Sequence, residues 1–445
     1  MRRLFSAPTR PAELLIRGAH VLDPVSGLDG PADVLVRQGV IAGLGAPGSL
    51  EPPPGGESID GEGRHVFAAF VDPHVHLRVP GEEHKEDIHS GTRAAAAGGY
   101  CAVVAMPNTH PVVDNTAVLG SLREAAMREA RVPVGFTAAI SPGLAGERLT
   151  EMVELRAAGA VGFTDDGRPV VSAGLLRRAL QYQRLCGGVL ALHEEDPSLS
   201  GAGAMHEGEV SALLGIAGIP SISESTMVAR DAAIAGHEGG RLHMQHLSAR
   251  ESVEAVAGAK AAGVAVTAEA SPHHLVLTED DVRGLDTRLK MNPPLRSIAD
   301  RATLVEGLRT GTIDCVATDH APHAREDKDV PFEQAAMGTT GLETAFAALY
   351  TNLVRPGLLP LATLLERMTA GARILDLEVP VVAVGAEANL CLVDLEAGWL
   401  VGEAGYESRS ENCCFGGRHL QGRVLLTVAA GGVAYRQRAF AIGPA

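Results

Sequence analysis

The sequence predicts an α/β chain: a (β/α)8 TIM barrel with a small β-sandwich built from both chain ends. Three observations predict it. Between residues 65 and 323, a short apolar run rich in Val and Ala that ends in polar residues recurs eight times. The segments between runs, such as NTAVLGSLREAAMREAR (115–131) and SARESVEAVAGAKAAG (248–263), carry apolar residues at three- and four-residue spacing among good helix formers. The two ends of the chain are instead short β-like runs broken by Gly, Pro and Asp. Near-continuous apolar strands suit a parallel sheet covered on both faces, and eight strand–helix units suit a closed barrel. A doubly wound open sheet would place a glycine-rich phosphate loop after its first strand, where this chain has histidines.

Taken in order, residues 12–50 supply the first β-like runs. The barrel opens with HVFAAFVDPHVHLR (65–78) and continues through GYCAVVAMPN (99–108), VPVGFTAAI (132–140) and GAVGFTDD (159–166). GVLALHEED (188–196), RLHMQHLSA (241–249), GVAVTAEASPHH (263–274) and TIDCVATDHAPH (312–323) complete the eight. Residues 385–437 return to broken β-like runs that pair with the N-terminal ones. The expected division is 1–64 and 376–445 for the two parts of the sandwich and 65–375 for the barrel.

Composition narrows the function. A chain of 445 residues, 46% hydrophobic and 21% charged, can bury a large core. A formal net charge of −16 with five Tyr, nine Phe and one Trp argues against a nucleic-acid surface, which needs clustered Lys and Arg with stacking aromatics. A small molecule is the expected ligand. No stretch is apolar enough for a signal peptide or a membrane span, so a cytoplasmic protein is expected. The six cysteines lack CxxC spacing and most sit in apolar runs, which reads as buried thiols.

Catalytic residues of this fold come from the C-terminal ends of several strands, so the polar tips of the eight runs are read together. They supply His74 and His76, Asn108, Asp166, His193, His246, and Asp319 with His323. Singly, a His on an apolar run is more often a satisfied core residue, and the DDG at 165–167 is an ordinary turn sequence. Jointly, four of these histidines and the two carboxylates at one end of a barrel are hard to bury without a compensating cation. Imidazole with carboxylate favours Zn²⁺, with Mn²⁺ or Co²⁺ as substitutes. Such a metal lowers the pKa of bound water to roughly 7, which makes hydrolysis the natural chemistry. Asp319, in TDHAPH, stands where a carboxylate can touch both metal and water and act as general base.

The motifs DPHVHLRVPG, MPNTHPVVDN, GFTDDG, LHEED, GAMHEGE, HLSARES, TAEASPHHLVLTEDD, KMNPPLRS and TIDCVATDHAPHAREDK together resemble the amidohydrolase superfamily and, more closely, the class I dihydroorotases. HxH marks only the superfamily, whereas NPPLR with TDHAPHA points to dihydroorotase. The resemblance implies His74, His76, Asp166, His193, His246 and Asp319 as ligands of one or two Zn²⁺ ions, with Asp319 also shuttling the proton. Asp166 is chosen over Asp165 because it stands 27 residues before His193, the offset expected for the family. Arg78, Asn108, Asn292 and His323 fall where the family holds the substrate. Strand alternation puts Arg78 on the face of His74 and His76, and its planar fork suits a carboxylate. Two departures stand out, Val79 for an expected acidic residue and Glu194 for a common Cys. The segment ENCCFGGRHLQGR is a degraded form of a family motif at the edge of the small domain.

The leading expectation is therefore a dihydroorotase, reversibly closing N-carbamoyl-L-aspartate to L-dihydroorotate in pyrimidine synthesis. A hydantoinase, dihydropyrimidinase or allantoinase is the alternative among enzymes, and an inactive scaffold for aspartate transcarbamoylase the alternative outside them. A homodimer is expected, and the resemblance allows a complex with the transcarbamoylase. ATP, NAD and flavin are not expected, and neither is a carboxylated lysine at the metal.

Overall fold

The eight apolar runs contain eight parallel strands. In the computed structural model, which describes residues 4–437, they span Phe70–Val75, Tyr100–Ala105, Val134–Phe136, Gly162–Thr164, Val189–Leu192, Leu242–Met244, Val266–Ala270 and Cys315–Val316. The first three pair in sequence order as one arc and the last five as another. Isolated parallel bridges, Ala138 with Phe163 and Val75 with His320, join the arcs into a ring. Helices occupy the segments between strands, among them Ile88–Ala97, Thr116–Glu129, Ala173–Cys186, Ile222–Glu238, Arg250–Ala261 and Ile298–Thr310. Their starts are set locally. The Asn115 side chain accepts from the N–H groups of Ala117 and Val118, and Ser297 does the same for Asp300, caps worth about 1 kcal/mol each. Thr116–Glu129 then buries Leu119, Leu122 and Ala126, three and four residues apart, against the barrel.

The run beginning at His65 is two elements. His65–Ala68 pairs with Leu14–Asp23 and Leu390–Leu400 in the flanking sheet, and the barrel strand starts at Phe70. That flanking sheet has eight strands, drawn from both chain ends: Leu14–Asp23, Leu28–Arg37, Val40–Gly45, Glu57–Asp60 and His65–Ala68 from the first, Leu390–Leu400, His419–Ala429 and Gly432–Arg436 from the second. It folds over on itself, so that Val36 and Ile41 from one edge share a buried apolar cluster with Leu426 and Val428 from the other. An aromatic seam couples sheet to barrel. Phe346 stacks on Phe70 of the first barrel strand, with centroids 5.5 Å apart, and meets Phe67 of the flanking sheet at 5.9 Å. Phe70 is fully buried, and its truncation to Ala costs about 3–5 kcal/mol.

All six cysteines are free, five of them buried and Cys186 partly so. Among the described residues no helix is long and apolar enough to cross a membrane.

Candidate metal centre

Each expected ligand stands at the C-terminal end of a barrel strand or just past it. His74 is the fifth residue of the first strand and His76 follows its end. Asp166, His193, His246 and Asp319 come one to three residues after the fourth, fifth, sixth and eighth strands. The first and last strands are tied directly beneath them. Asp72 accepts from the N–H of His74 and from both the N–H and hydroxyl of Thr318, so His74 and Asp319 are set side by side. Arg78, His246 and Asp319 have left-handed backbones, with φ of 59°, 31° and 47°. Such conformations cost on the order of 1–3 kcal/mol in a non-glycine residue and concentrate where function fixes them.

The result is one buried cluster. Asp166 Oδ1 lies 3.5 Å from Nε2 of both His74 and His246 and 3.9 Å from Nδ1 of His193. Its other oxygen lies 3.5 Å from Nε2 of His76. Asp319 Oδ1 stands 3.1 Å from His76 Nε2 and 3.5 Å from His74 Nε2. Burial alone would raise both carboxyls, but the surrounding imidazoles outweigh it and hold each below the ordinary carboxylate range. Nε2 of His74 and Nδ1 of His246 are buried without a hydrogen-bond partner. Asp165 faces away, accepting from the N–H groups of Ile140 and Ser141 and from the Ser141 hydroxyl.

A cleft of about 300 Å³ opens on this cluster, and Arg78, Asn108, Asn292 and His323 line it. Arg78 reaches it by a route other than strand alternation. The strand ends at Val75, and the left-handed turn at Arg78 swings the guanidinium over, where Nε donates to the Pro322 carbonyl and Nη2 lies 3.3 Å from His323 Nε2. Burial, and then the neighbouring Arg78, push the His323 pKa down to about 3, so the ring is neutral. Gly338 permits the close approach of its loop, since at φ 142° a Cβ there would stand 2.9 Å from His323 Nε2. Asn108 bridges two expected ligands, with Oδ1 3.0 Å from His76 Nδ1 and Nδ2 donating to Asp166. Asn292 donates to Glu195, which also meets His193 Nε2 at 3.0 Å.

Comparison with known proteins places this architecture. The profile of the family described as dihydro-orotase-like matches residues 63–252, and that of the amidohydrolase family residues 228–433. A dihydroorotase of Anaeromyxobacter dehalogenans is 47% identical over 430 residues, covering 95% of this chain and 98% of that one. The chain belongs to the dihydroorotase family. A second dihydroorotase, from Pelotomaculum thermopropionicum, is 45% identical over 96% of this chain and 99% of its own. Among solved structures, an L-hydantoinase from Arthrobacter aurescens superposes with a TM-score of 0.84 at 27% identity, covering 95% of this chain and 96% of that one. A D-hydantoinase matches at 0.83 and 22% over 96% of each chain, a likeness of fold. This chain thus shares its fold with these hydantoinases, and sequence identity puts it with the dihydroorotases.

Three further residues at this site stand inside the quoted motifs, which assign them no role. Glu269, on the seventh strand, binds His74 and His243. Glu195 joins His193 to Asn292. Asn412, in the divergent ENCC segment, accepts from the His323 N–H and donates to the Ala321 and Gly338 carbonyls, so that segment reaches the rim of the cleft. A signal existed for Glu269, because a carboxylate inside an otherwise apolar strand needs a partner.

Proposed function

We propose that this chain closes N-carbamoyl-L-aspartate to L-dihydroorotate, and reopens it, at a zinc centre held by His74, His76, Asp166, His193, His246 and Asp319. The observation that carries the reading is the convergence of Asp166 and Asp319 on four imidazoles, with the half-buried Arg78 opening onto the same cleft. The donor set fits the ion. Nitrogen and carboxylate ligands suit Zn²⁺, and Nε2 of His74, buried without a hydrogen-bond partner and 3.5 Å from both Asp166 and Asp319, is the kind of atom a cation satisfies. When bound, one or two zinc ions supply Lewis acidity to the reacting carbonyl and lower the pKa of water.

The residues of the chain do the rest. Arg78 pairs with the ring carboxylate through its planar fork, and neutral His323 beside it offers an uncharged hydrogen-bonding edge. Asn292, its amide turned by Glu195, orients the ring. Asp319 holds the transferred proton at its carboxylate, taking it from the attacking water during hydrolysis and giving it to the departing ring nitrogen. Burial of both aspartates keeps bulk water from competing for these contacts. We also propose that the chain acts as a homodimer, with aspartate transcarbamoylase as a partner.

The test is zinc analysis of the purified protein beside a substrate panel. Dihydroorotate hydrolysis that rises with zinc content, and that far exceeds turnover of hydantoin, dihydrouracil or allantoin, is the expected result; preference for an uncharged ring refutes the reading. Light scattering with and without the transcarbamoylase tests the assembly.

A further inference from the structure

Beneath the cluster lies a second set of buried polar groups that the proposed chemistry does not use. Glu269 is fully buried inside the barrel, yet both its oxygens are engaged. Oε1 lies 2.7 Å from Nδ1 of His74 and accepts from the His246 N–H at 3.2 Å. Oε2 lies 2.9 Å from Nε2 of His243, whose Nδ1 in turn lies 2.9 Å from the Thr267 hydroxyl. An ionised carboxylate only accepts, so each imidazole nitrogen facing it carries a proton. In a neutral His74, a hydrogen held on Nδ1 would leave the lone pair on Nε2, the atom that points, unpartnered, between Asp166 and Asp319.

We infer that Glu269 is a positioning residue that fixes the tautomer and ring orientation of His74, and that His243 holds Glu269 in place to do so. A buried carboxylate with a single imidazole partner could rotate, and the second partner on the sixth strand prevents it. The carboxylate also anchors the backbone of His246, so one side chain sets two expected ligands from below. This inference rests on the reading of His74 as a metal ligand. A rival exists in the same place, since His243, Glu269 and Cys315 bring one ligand atom each within 4.8 Å of one another. Against it, both Glu269 oxygens already accept from imidazoles, and burial raises the Cys315 thiol well above its ordinary range, which disfavours the thiolate a metal needs.

The experiment is zinc titration of the full-length apoprotein against a competing chelator, for the wild type, Glu269→Gln, His243→Asn and His74→Ala, with circular dichroism and melting of the apoproteins as controls on folding. A glutamine accepts through one oxygen only and sets an NH2 group against the other ring. Glu269→Gln should therefore weaken zinc binding by ~10- to 100-fold, and abolish the low-field Nδ1 proton resonance of His74 in the apoprotein. His243→Asn, which keeps a donor facing Glu269, should weaken binding less and retain that resonance. If His74→Ala releases zinc but a folded Glu269→Gln binds it as the wild type does, the positioning role is wrong and the ligand reading stands. If His74→Ala binds zinc normally, the ligand reading itself fails. Should Glu269→Gln not fold, loss of the resonance or of affinity in a folded His243→Phe supports the inference, and their retention overturns it. A further equivalent of metal in the wild type that disappears in Cys315→Ser overturns it in favour of the rival site.

Discussion

Asp165 and Asp166 are consecutive and face opposite ways: the first is wrapped by the backbone and hydroxyl of Ser141, the second stands among four imidazoles. Two adjacent carboxylates at one strand end thus have separable tasks. Asp166→Ala should lose bound zinc and activity while keeping its fold. Asp165→Ala should leave three buried donors without an acceptor, destabilising the protein by about 3 kcal/mol or more, yet retain zinc in whatever fraction stays folded. Metal analysis and denaturant melts of both variants check this. Equal loss of zinc in the two would mean that the assignment of tasks is wrong.

Arg78 gives the second prediction. Its Nε is spent on the Pro322 carbonyl, which leaves the terminal nitrogens to face the cleft beside His323. A lysine cannot hold that carbonyl and present a planar pair of donors together. Arg78→Lys should raise KM for dihydroorotate by ~10- to 100-fold, the loss of one charged hydrogen-bonded pair, with zinc content unchanged. A normal KM would move the carboxylate clamp elsewhere.

How much of this was legible in the sequence differs between the expected ligands and their supports. His74, His193 and Asp319 announced themselves because each ends an apolar run, a place where burial without a partner is costly. Arg78 lines the cleft with the expected ligands, but the strand argument for it is one the backbone does not obey, since alternation stops at Val75 and a left-handed turn supplies the direction. No local pattern encodes such a turn in an arginine. Glu195 and Asn412 were illegible for another reason. Their partners, Asn292 and His323, lie 97 and 89 residues away in the chain, and only the closed barrel brings them together. The flanking sheet was visible as broken β runs at both ends, but the assignment of His65–Ala68 to it depends on pairing with Leu390–Val393.

The third prediction follows from charge alone. Carbamoyl aspartate carries two carboxylates and dihydroorotate one, so closure consumes a proton. With every other group unchanged in protonation between about pH 5 and 9, the equilibrium ratio of ring to open form should fall about tenfold for each unit rise in pH. Measuring the ratio from both directions at three pH values tests it. A ratio independent of pH rules out this reaction.

The last prediction concerns what bridges two metals, if two bind. Many amidohydrolases use a carboxylated lysine from the fourth strand, and forming one needs a neutral amine near the metals. The chain has four lysines, each held elsewhere. Lys85 pairs with Glu82 at 2.6 Å and Lys260 with Asp314 at 2.6 Å. Lys290 donates to the Glu333 carbonyl. Burial lowers the pKa of Lys290, and pushes that of Lys328, with Lys290 as the next cause, down to about 7, which makes Lys328 the amine most able to react with carbon dioxide. Its ammonium, however, donates to the carbonyls of Thr287, Lys290 and Ala336, away from the cluster. The fourth strand end offers Asp166 instead, with Oδ1 toward His74, His193 and His246 and Oδ2 toward His76, so its two oxygens would be available to two ions if two bind. Apoprotein reconstituted with zinc in buffer stripped of carbon dioxide should therefore regain the same activity as in bicarbonate. Bicarbonate-dependent recovery, or electron density for a carbamate on any of the four lysines at the metals, would show that the bridge is not Asp166.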